Sequence, residues 1–510
     1  MWRFLMVLTL LAAPAQAATP EQLYQQHCLT CHGSGRMGAM APALLPQSLD
    51  RLRPQQIEQL IRSGRTATQM AGFADRLNED EIRALTQWLL QPPAQAPKWD
   101  AADITASHVI HHQPDPQARL PASIDPLNLF VVVEAGDHHL SVVDGDRFRV
   151  LARVPTRYAL HGGPKFSPDG RFVYLASRDG WVSQFDLYTQ QMVAEVRVAL
   201  NTRNVAVSSD GRWVLAGNTL PETLVLLDAN GLRPVRTLPV CDARGNTSRV
   251  SAVYDAAPRN SFVVALKDVP ELWEISYDPK AGKIYPAFVH DYKMGEGFAL
   301  DGYLNPRVTA LDGVLDDFFF DPSYRYVFGA SRDGRAQVIN LDIRRKLVDL
   351  PLVGMPHLGS GITFERSGRT LMASPDLKGG QIDVVDLASW QAVAQIKTPG
   401  PGFFLRSHER TPYAWTDSMM SKDARDTITL IDKRTLAVVK TLRPRPGRTT
   451  AHVEFTRDGR YVLLSVMETP GELLVLDADS GREVASLPMM KPIGKYNVYN
   501  KINRSEGTSH

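Results

Sequence analysis

At 510 residues the chain has room for about three domains of ~150 residues, or for one small domain beside a single large repeat ring. Its 44% apolar and 22% charged residues are the composition of a soluble globular protein with a sizeable core. A formal net charge of +2 gives no overall basic field for nucleic acid or an anionic membrane, and the local run "RPRPGR" (443–448) reads as solvated loop.

The opening "MWRFLMVLTLLAAPAQA" carries one Arg, a short apolar run and then Ala15-Gln16-Ala17. That pattern predicts an export signal over residues 1–18, too short to span a bilayer, and hence a periplasmic protein. No later stretch approaches ~18 consecutive apolar residues, so no membrane span is expected. Of the three cysteines, Cys241 stands alone and is expected to behave as a small buried apolar residue, with no disulfide framework.

The other two form "QQHCLTCHGSG" (25–35), in which Cys28-x-x-Cys31-His32 is the signature of covalent heme attachment. Two thiols one helical turn apart can add to the two heme vinyl groups, and His32 then lies beneath the iron as its proximal ligand. No second cysteine pair exists to complete a zinc site. Further on, "NEDEIRALTQWLLQ" (78–91) predicts a helix capped by Asn78, with Ile82, Leu85, Trp88 and Leu89 as its apolar stripe. Residues 19–93 thus resemble a small mono-heme cytochrome c of class I. The resemblance places the second axial ligand just upstream of that helix, where "TQMAGFADRL" holds Met70; Met37 and Met40 compete from the Gly-rich loop beside the attachment helix. A His/Met-ligated iron has a raised potential and accepts electrons. The Pro/Ala-rich stretch "QPPAQAPKWDAAD" then opens a linker expected over 94–124.

From about residue 125 to 502 the pattern changes to short β-rich runs separated by turn signals. A unit recurs: an S/D-x-D/S-G-R turn, an apolar strand, a strand ending in an apolar-Asp turn, and a further strand. Copies include "SPDGRFVYLAS…VSQFDLYTQQMVAEV", "SSDGRWVLAGN…LVLLDANGLRPVRTL", "ERSGRTLMASP…IDVVDLASWQAVAQI" and "TRDGRYVLLSV…ELLVLDADSGREVASL". About eight units of roughly 40–45 residues predict an eight-bladed β-propeller. Most propellers bind partners at the central mouth, so a docking module is the plainest expectation. Three histidines argue for more. His161 ("YALHGGPKFSPDGR"), His357 ("GMPHLGSGITFERSGR") and His452 ("TTAHVEFTRDGR") precede their blades' turns by similar intervals, so all three are expected to face one cavity. Imidazole is a natural ligand of heme iron.

A cytochrome c domain joined to such a propeller resembles the cytochrome cd1 family, whose propeller holds heme d1. "RYALHGGPKFSPDGRFV" is similar to the segment bearing that family's proximal heme d1 ligand, "GMPHLGSG" to its second active-site histidine segment, and "PIGKYNVYN" (492–500) to its C-terminal signature. There are departures from the family's nitrite reductases. Asp316, in "GVLDDFFFDPSYRYV", stands where they have their first distal histidine. Arginines that hold heme d1 carboxylates are missing near Ser360 and in "VVVEAGDHH", and His452 is additional. The combination resembles the family's dihydro-heme d1 dehydrogenase branch, which desaturates a propionate of the heme d1 precursor to an acrylate. The resemblance implies His161 and His452 as ligands of the heme d1 iron, His357 as general base, Asp316 as a second catalytic residue that either tunes His357 or contacts substrate, and Arg203 and Arg249 as partners of precursor carboxylates. It also implies heme c as electron sink, a soluble electron acceptor, and transient contacts with nitrite reductase and heme d1 assembly proteins. A true nitrite reductase and a non-catalytic heme d1 carrier stand as alternatives. A quinoprotein dehydrogenase does not, because the eight Trp residues follow no blade period.

Overall fold

The computed structural model describes residues 18–508 except 40, 50–51, 66–69, 95–96, 159, 286–298, 332 and 505, and leaves out the side chains of 161 and 162. The expected export signal up to residue 17, Met40 and the side chain of His161 therefore lie outside the described residues.

Capping chemistry sets the N-terminal helices. Helix α1 (Pro20–His27) begins with a reciprocal capping box between Thr19 and Gln22, and α2 (Leu29–His32) carries the second attachment cysteine and His32. After α3 (Pro54–Ser63), α4 (Glu79–Leu89) opens with Asn78 accepting from the Asp80 and Glu81 amides and three acids in its first turn. That arrangement satisfies orphan donors and suits the positive end of the helix dipole. Leu23, Tyr24, Ile57, Ile61, Leu77, Ile82, Leu85 and Leu89 form this domain's core, and Trp88 packs at its edge.

The rest of the chain forms eight antiparallel sheets among the described residues, seven of four strands and one of five. Two polar devices repeat at the strand ends. In the Asp-Gly-Arg turns, Ser167, Ser208 and Thr456 hydroxyls accept the amides of Phe172, Trp213 and Tyr461 at 2.9–3.0 Å. Their glycines (170, 211 and 459) take φ near +70°, which a side chain would disfavour. At the other end of each hairpin, Asp144, Asp186, Asp228, Asp386, Asp432 and Asp477 accept the amide two or three residues on at 2.7–3.0 Å. These Asx turns are why the same short words recur at a fixed period.

The innermost strands are β1 (Leu160–Phe166), β2 (Asn201–Val207), β3 (Val250–Ala256), β4 (Asp317–Phe320), β5 (Ile362–Arg366), β6 (Leu405–Arg406), β7 (Thr450–Phe455) and β8 (Pro492–Asn497). The last of these closes the ring, pairing with Leu129–Glu134 in a register that sets Phe130 against Asn497 and Val132 against Lys495. Closure leaves the propeller no broken blade.

The stretch expected as linker is partly structured. A capping box between Asp100 and Asp103 starts a helix over Ala101–Ala106, Trp99 Nε1 donates to the Arg197 carbonyl at 2.9 Å, and Val109–Ile110 adds a fifth strand against Ala194 and Glu195. The cytochrome domain rests on the rim where the inner strands begin. Ala43 and Leu45 pack with Leu200 and Leu220, joined by Met37 and Trp99, and Arg249 Nη1 donates to the Gln47 carbonyl at 3.0 Å.

Candidate functional site: two tetrapyrrole sites on one rim

In the cytochrome domain, His32 is buried at 8% exposure, and its Nδ1 lies 2.8 Å from the Pro42 carbonyl. That bond puts the proton on Nδ1 and leaves Nε2 as a bare lone pair, the tautomer an iron ligand needs. Burial pushes the His32 imidazolium down, which keeps the ring neutral. Cys28 and Cys31 carry free thiols one turn apart on the same segment. Met70 follows α3 on a loop held by Arg65 N–H donating to its carbonyl at 3.0 Å and Phe73 N–H donating to Ile61 at 2.9 Å. The ring of His27, beside Cys28, meets Phe73 edge-on at 6.1 Å, so the methionine loop and the attachment segment face each other. These donors fit a covalently attached heme c. Met37 packs into the contact with the propeller.

On the propeller rim, His357 precedes β5 and β4 starts at Asp317. His357 Nδ1 lies 2.8 Å from the Phe403 carbonyl, so Nε2 again carries the open lone pair. Asp317 Oδ2 stands 3.8 Å from that Nε2, too far for a hydrogen bond but close enough to favour an imidazolium. The Tyr254 hydroxyl donates to Asp317 Oδ1 at 3.0 Å. Gly359 makes the approach possible, since a Cβ there would sit 2.0 Å from Asp317 Oδ2. Burial lowers the His357 pKa, Asp317 and the Phe403 bond oppose that, and Arg203 and Arg406 add to it. The carboxylate beside His357 is therefore Asp317, the neighbour of the candidate Asp316. Asp316 instead pairs with Lys267 Nζ at 3.5 Å.

His452 is fully buried. It sits at a register shift between Ala451 and Val453 in β7 and takes a left-handed φ of +55°. A bulge of this kind re-aims a side chain out of the alternation of its strand. The ring lies between Phe404, with centroids at 4.3 Å, and Tyr496, at 5.1 Å. Its Nε2 is buried and meets no hydrogen-bond partner among the described residues. Lys495 Nζ donates to the His452 carbonyl and to Ser465 Oγ at 2.9 Å, and lies 3.5 Å from His452 Nδ1. Burial, then Lys495 and Arg406, hold the His452 pKa well below its ordinary value. A neutral buried imidazole with an orphaned Nε2 has the chemistry of an iron ligand.

His161 contributes its backbone in β1, paired with Ala176 ahead of a register shift that runs to Lys165. Gly163, two residues on, lies against Tyr496, whose ring carbons would be 3.0 Å from a Cβ at that position. The histidine segment and the closing strand are thus in contact. Arg203, in β2, donates from Nε to the Ser251 carbonyl at 2.7 Å. Arg249 is held by Asp268, with Nε at 2.8 Å and Nη2 at 2.5 Å, and by Gln47 across the domain contact. The structure gives it the work of a tie between domains. Lys495, Tyr496, Asp317, Tyr254 and Asp417 were not singled out from the sequence. Three of them lay in quoted segments, Asp317 in "GVLDDFFFDPSYRYV" and Lys495 and Tyr496 in "PIGKYNVYN", with no role marked for any. Lys165, Lys495, Lys501 and Arg406 are all pushed down by burial, Lys165 to about 8.

Comparison with known proteins agrees with both halves. Residues 124–501 match the family described as Cytochrome D1 heme domain, and residues 15–89 match that described as Cytochrome C oxidase, cbb3-type, subunit III. The chain is 55% identical to a dihydro-heme d1 dehydrogenase of Pseudomonas aeruginosa over 98% of each chain, and 25% identical to a nitrite reductase of Stutzerimonas stutzeri over 96% of each. Among solved structures, the dihydro-heme d1 dehydrogenase NirN in complex with DHE superposes with a TM-score of 0.81 at 54% identity, covering 95% of this chain and 100% of that one. With an attachment-ready cytochrome domain docked on an eight-bladed ring, the chain belongs to the cytochrome D1 heme domain family.

Proposed function

We infer that this chain oxidises dihydro-heme d1 to heme d1, desaturating one propionate to an acrylate, and passes the electrons to its own heme c. The observation that carries the reading is the pair of imidazoles on one rim: His357, with Nδ1 pinned and Nε2 open, and His452, buried with an orphaned Nε2. The 55% identity to a dihydro-heme d1 dehydrogenase supports it.

Desaturation removes two hydrogens from the substrate, as two protons and two electrons. His357 Nε2 takes the proton α to the carboxylate, and Asp317 at 3.8 Å stabilises the imidazolium that forms. The second proton leaves to solvent. His452 and His161 hold the substrate iron from its two faces, which leaves no open coordination position for nitrite. Arg203 takes a substrate carboxylate, since guanidinium gives charge-assisted, bidentate bonds. Cys28, Cys31 and His32 would hold heme c, which would supply one-electron acceptor chemistry, with a soluble partner as the final acceptor. Ala15-Gln16-Ala17 supports export to the periplasm, and no helix among the described residues is long and apolar enough to cross a membrane.

The test is to give purified protein dihydro-heme d1 and extract the tetrapyrrole. Mass spectrometry is expected to show the loss of two hydrogens together with reduction of heme c. His357→Ala is expected to bind the substrate and to lose about 10²–10⁴-fold in kcat, the ordinary contribution of a general base. An extracted tetrapyrrole of unchanged mass would leave a carrier, and full turnover by His357→Ala would remove the base.

A further inference from the structure

Asp417 ends the strand Tyr413–Asp417 with its side chain fully buried. Its carboxylate does not pair with a basic side chain among the hydrogen bonds of the described residues. It accepts four backbone amides from three separate segments. Oδ1 takes Phe403 N–H at 2.9 Å and Met419 N–H at 3.3 Å. Oδ2 takes Phe404 N–H at 3.2 Å and His452 N–H at 3.4 Å. The approach of the 402–404 segment is close: a Cβ on Gly402 would lie 2.3 Å from the Asp417 carbonyl.

The partners are what make this cradle informative. Phe403 is the residue whose carbonyl holds His357 Nδ1 at 2.8 Å, and its ring packs on the His357 ring at 4.1 Å. Phe404 packs edge-on against His452 at 4.3 Å. The fourth amide belongs to His452 itself, at the bulged, positive-φ position where a non-glycine residue is strained. One carboxylate therefore ties down the carbonyl that fixes the base's tautomer and the backbone that aims the second imidazole. Burying a carboxylate is costly, and a site spends it this way only where its hydrogen bonds hold something in place. Asp376, just past the matching strand Arg369–Pro375 of the preceding blade, likewise accepts a distant amide, that of Met355, beside the Lys378 and Gly379 amides of its own turn. What sets Asp417 apart is that its distant partners carry the packing and backbone of His357 and His452.

We propose that Asp417 is a positioning residue that sets His357 and His452 together, coupling the orientation of the base to the geometry at the substrate iron. The proposal rests on the dehydrogenase reading for the role of His357, but its effect on His452 is read independently of turnover. In Asp417→Asn one oxygen becomes an N–H donor facing amide donors, so the cradle opens on one side without loss of volume.

The experiment uses the full-length protein with heme c attached, loaded with dihydro-heme d1. Spectra of the bound tetrapyrrole iron are taken beside kcat and KM, all normalised to heme c. Asp417→Asn is expected to lose about 10–100-fold in kcat, the usual cost of removing a partner that orients a ligand. KM is expected to stay within about 3-fold, because no substrate contact is removed. The iron is expected to shift from six-coordinate low spin toward high spin as His452 loosens. Asp417→Glu keeps the charge while displacing both oxygens, is expected to give the same paired change, and serves where the Asn variant does not fold. Wild-type turnover and spin state in a folded variant would overturn the proposal. So would a fall in kcat with the spin state unmoved, since the two imidazoles would then not be coupled. If the wild-type protein fails to convert dihydro-heme d1, the dehydrogenase reading falls; the spin-state arm still decides whether Asp417 positions His452.

Discussion

Replacing Asp317 by Asn tests the electrostatics of the base. At 3.8 Å from His357 Nε2, a unit negative charge favours the imidazolium by about 1 kcal/mol in bulk water and about 4 kcal/mol at an effective dielectric of about 20. The side chains of His357 and Asp317 are 17% and 13% exposed, so the environment lies toward the second figure. Two bonds draw off part of the charge, from the Tyr254 hydroxyl at 3.0 Å and the Phe318 amide at 2.9 Å. We therefore expect the His357 pKa to drop further when that charge is removed. The direction follows from the base having to be neutral to act. Burial already places its pKa below the ordinary 6.5, so wild-type turnover should fall only as pH drops below that value. Without the Asp317 charge the acid limb moves to still lower pH. The plateau above it falls by about 3–10-fold, because a weaker base expresses about half its lost basicity midway through proton transfer. The assay is the initial rate of heme c reduction by dihydro-heme d1 between about pH 5 and 8, the window in which imidazole titrates. An acid limb that stays in place, or moves upward, would refute the assignment of Asp317 as the partner of the base.

Arg36 is buried and donates to the Trp88, Leu89 and Gln91 carbonyls at 2.9–3.0 Å, with its guanidinium 4.5 Å from the Trp88 ring. Arg36→Met is expected to cost the cytochrome domain about 3 kcal/mol, from three net hydrogen bonds of about 1 kcal/mol each, read as a lower urea midpoint in heme c absorbance. Arg36→Lys should recover less than half, since an ammonium lacks the fork; a midpoint equal to wild type would show the bonds to be idle. Arg249→Ala removes the tie to Gln47 and the Asp268 pair. It is expected to speed proteolysis in the 94–124 segment and slow heme c reduction while leaving substrate affinity within about 3-fold, because the guanidinium is already engaged by protein. A large loss of affinity with unchanged proteolysis would instead make Arg249 a carboxylate partner.

Local chemistry was legible in the sequence wherever the physical cause lies within a few residues. Asn78 caps α4 and the Asp-Gly-Arg and Asp turns recur because each closes hydrogen bonds two to five positions away. Those same turns announce the blades, so the ring could be counted before it was seen. What could not be read is what depends on a neighbour far along the chain. Arg249 is a plausible carboxylate partner from its motif, but its contact with Gln47 lies 202 positions upstream. Asp316 was named for a matching position in a family segment, yet the residue at the start of β4 that meets His357 is Asp317, admitted by the bare Cα of Gly359. The 94–124 stretch looked like a tether because Pro and Ala dominate its beginning, while its capping box and edge strand depend on the blade it lies against.

The closing strand shows why the second tetrapyrrole site is least legible of all. Lys495 and Tyr496 belong to β8, the final innermost strand, and reach His452 on β7 and Gly163 on β1 only when β8 pairs with Leu129–Glu134. Lys495 is fully buried and takes up the His452 carbonyl that the bulge turns inward. Without the strand, that carbonyl and Ser465 Oγ would lose their shared donor and the cost of an unmet buried acceptor would fall on the bulge itself. Closing the ring and forming the imidazole pocket are thus one event, and a chain with an unclosed propeller has no site in which to hold its substrate.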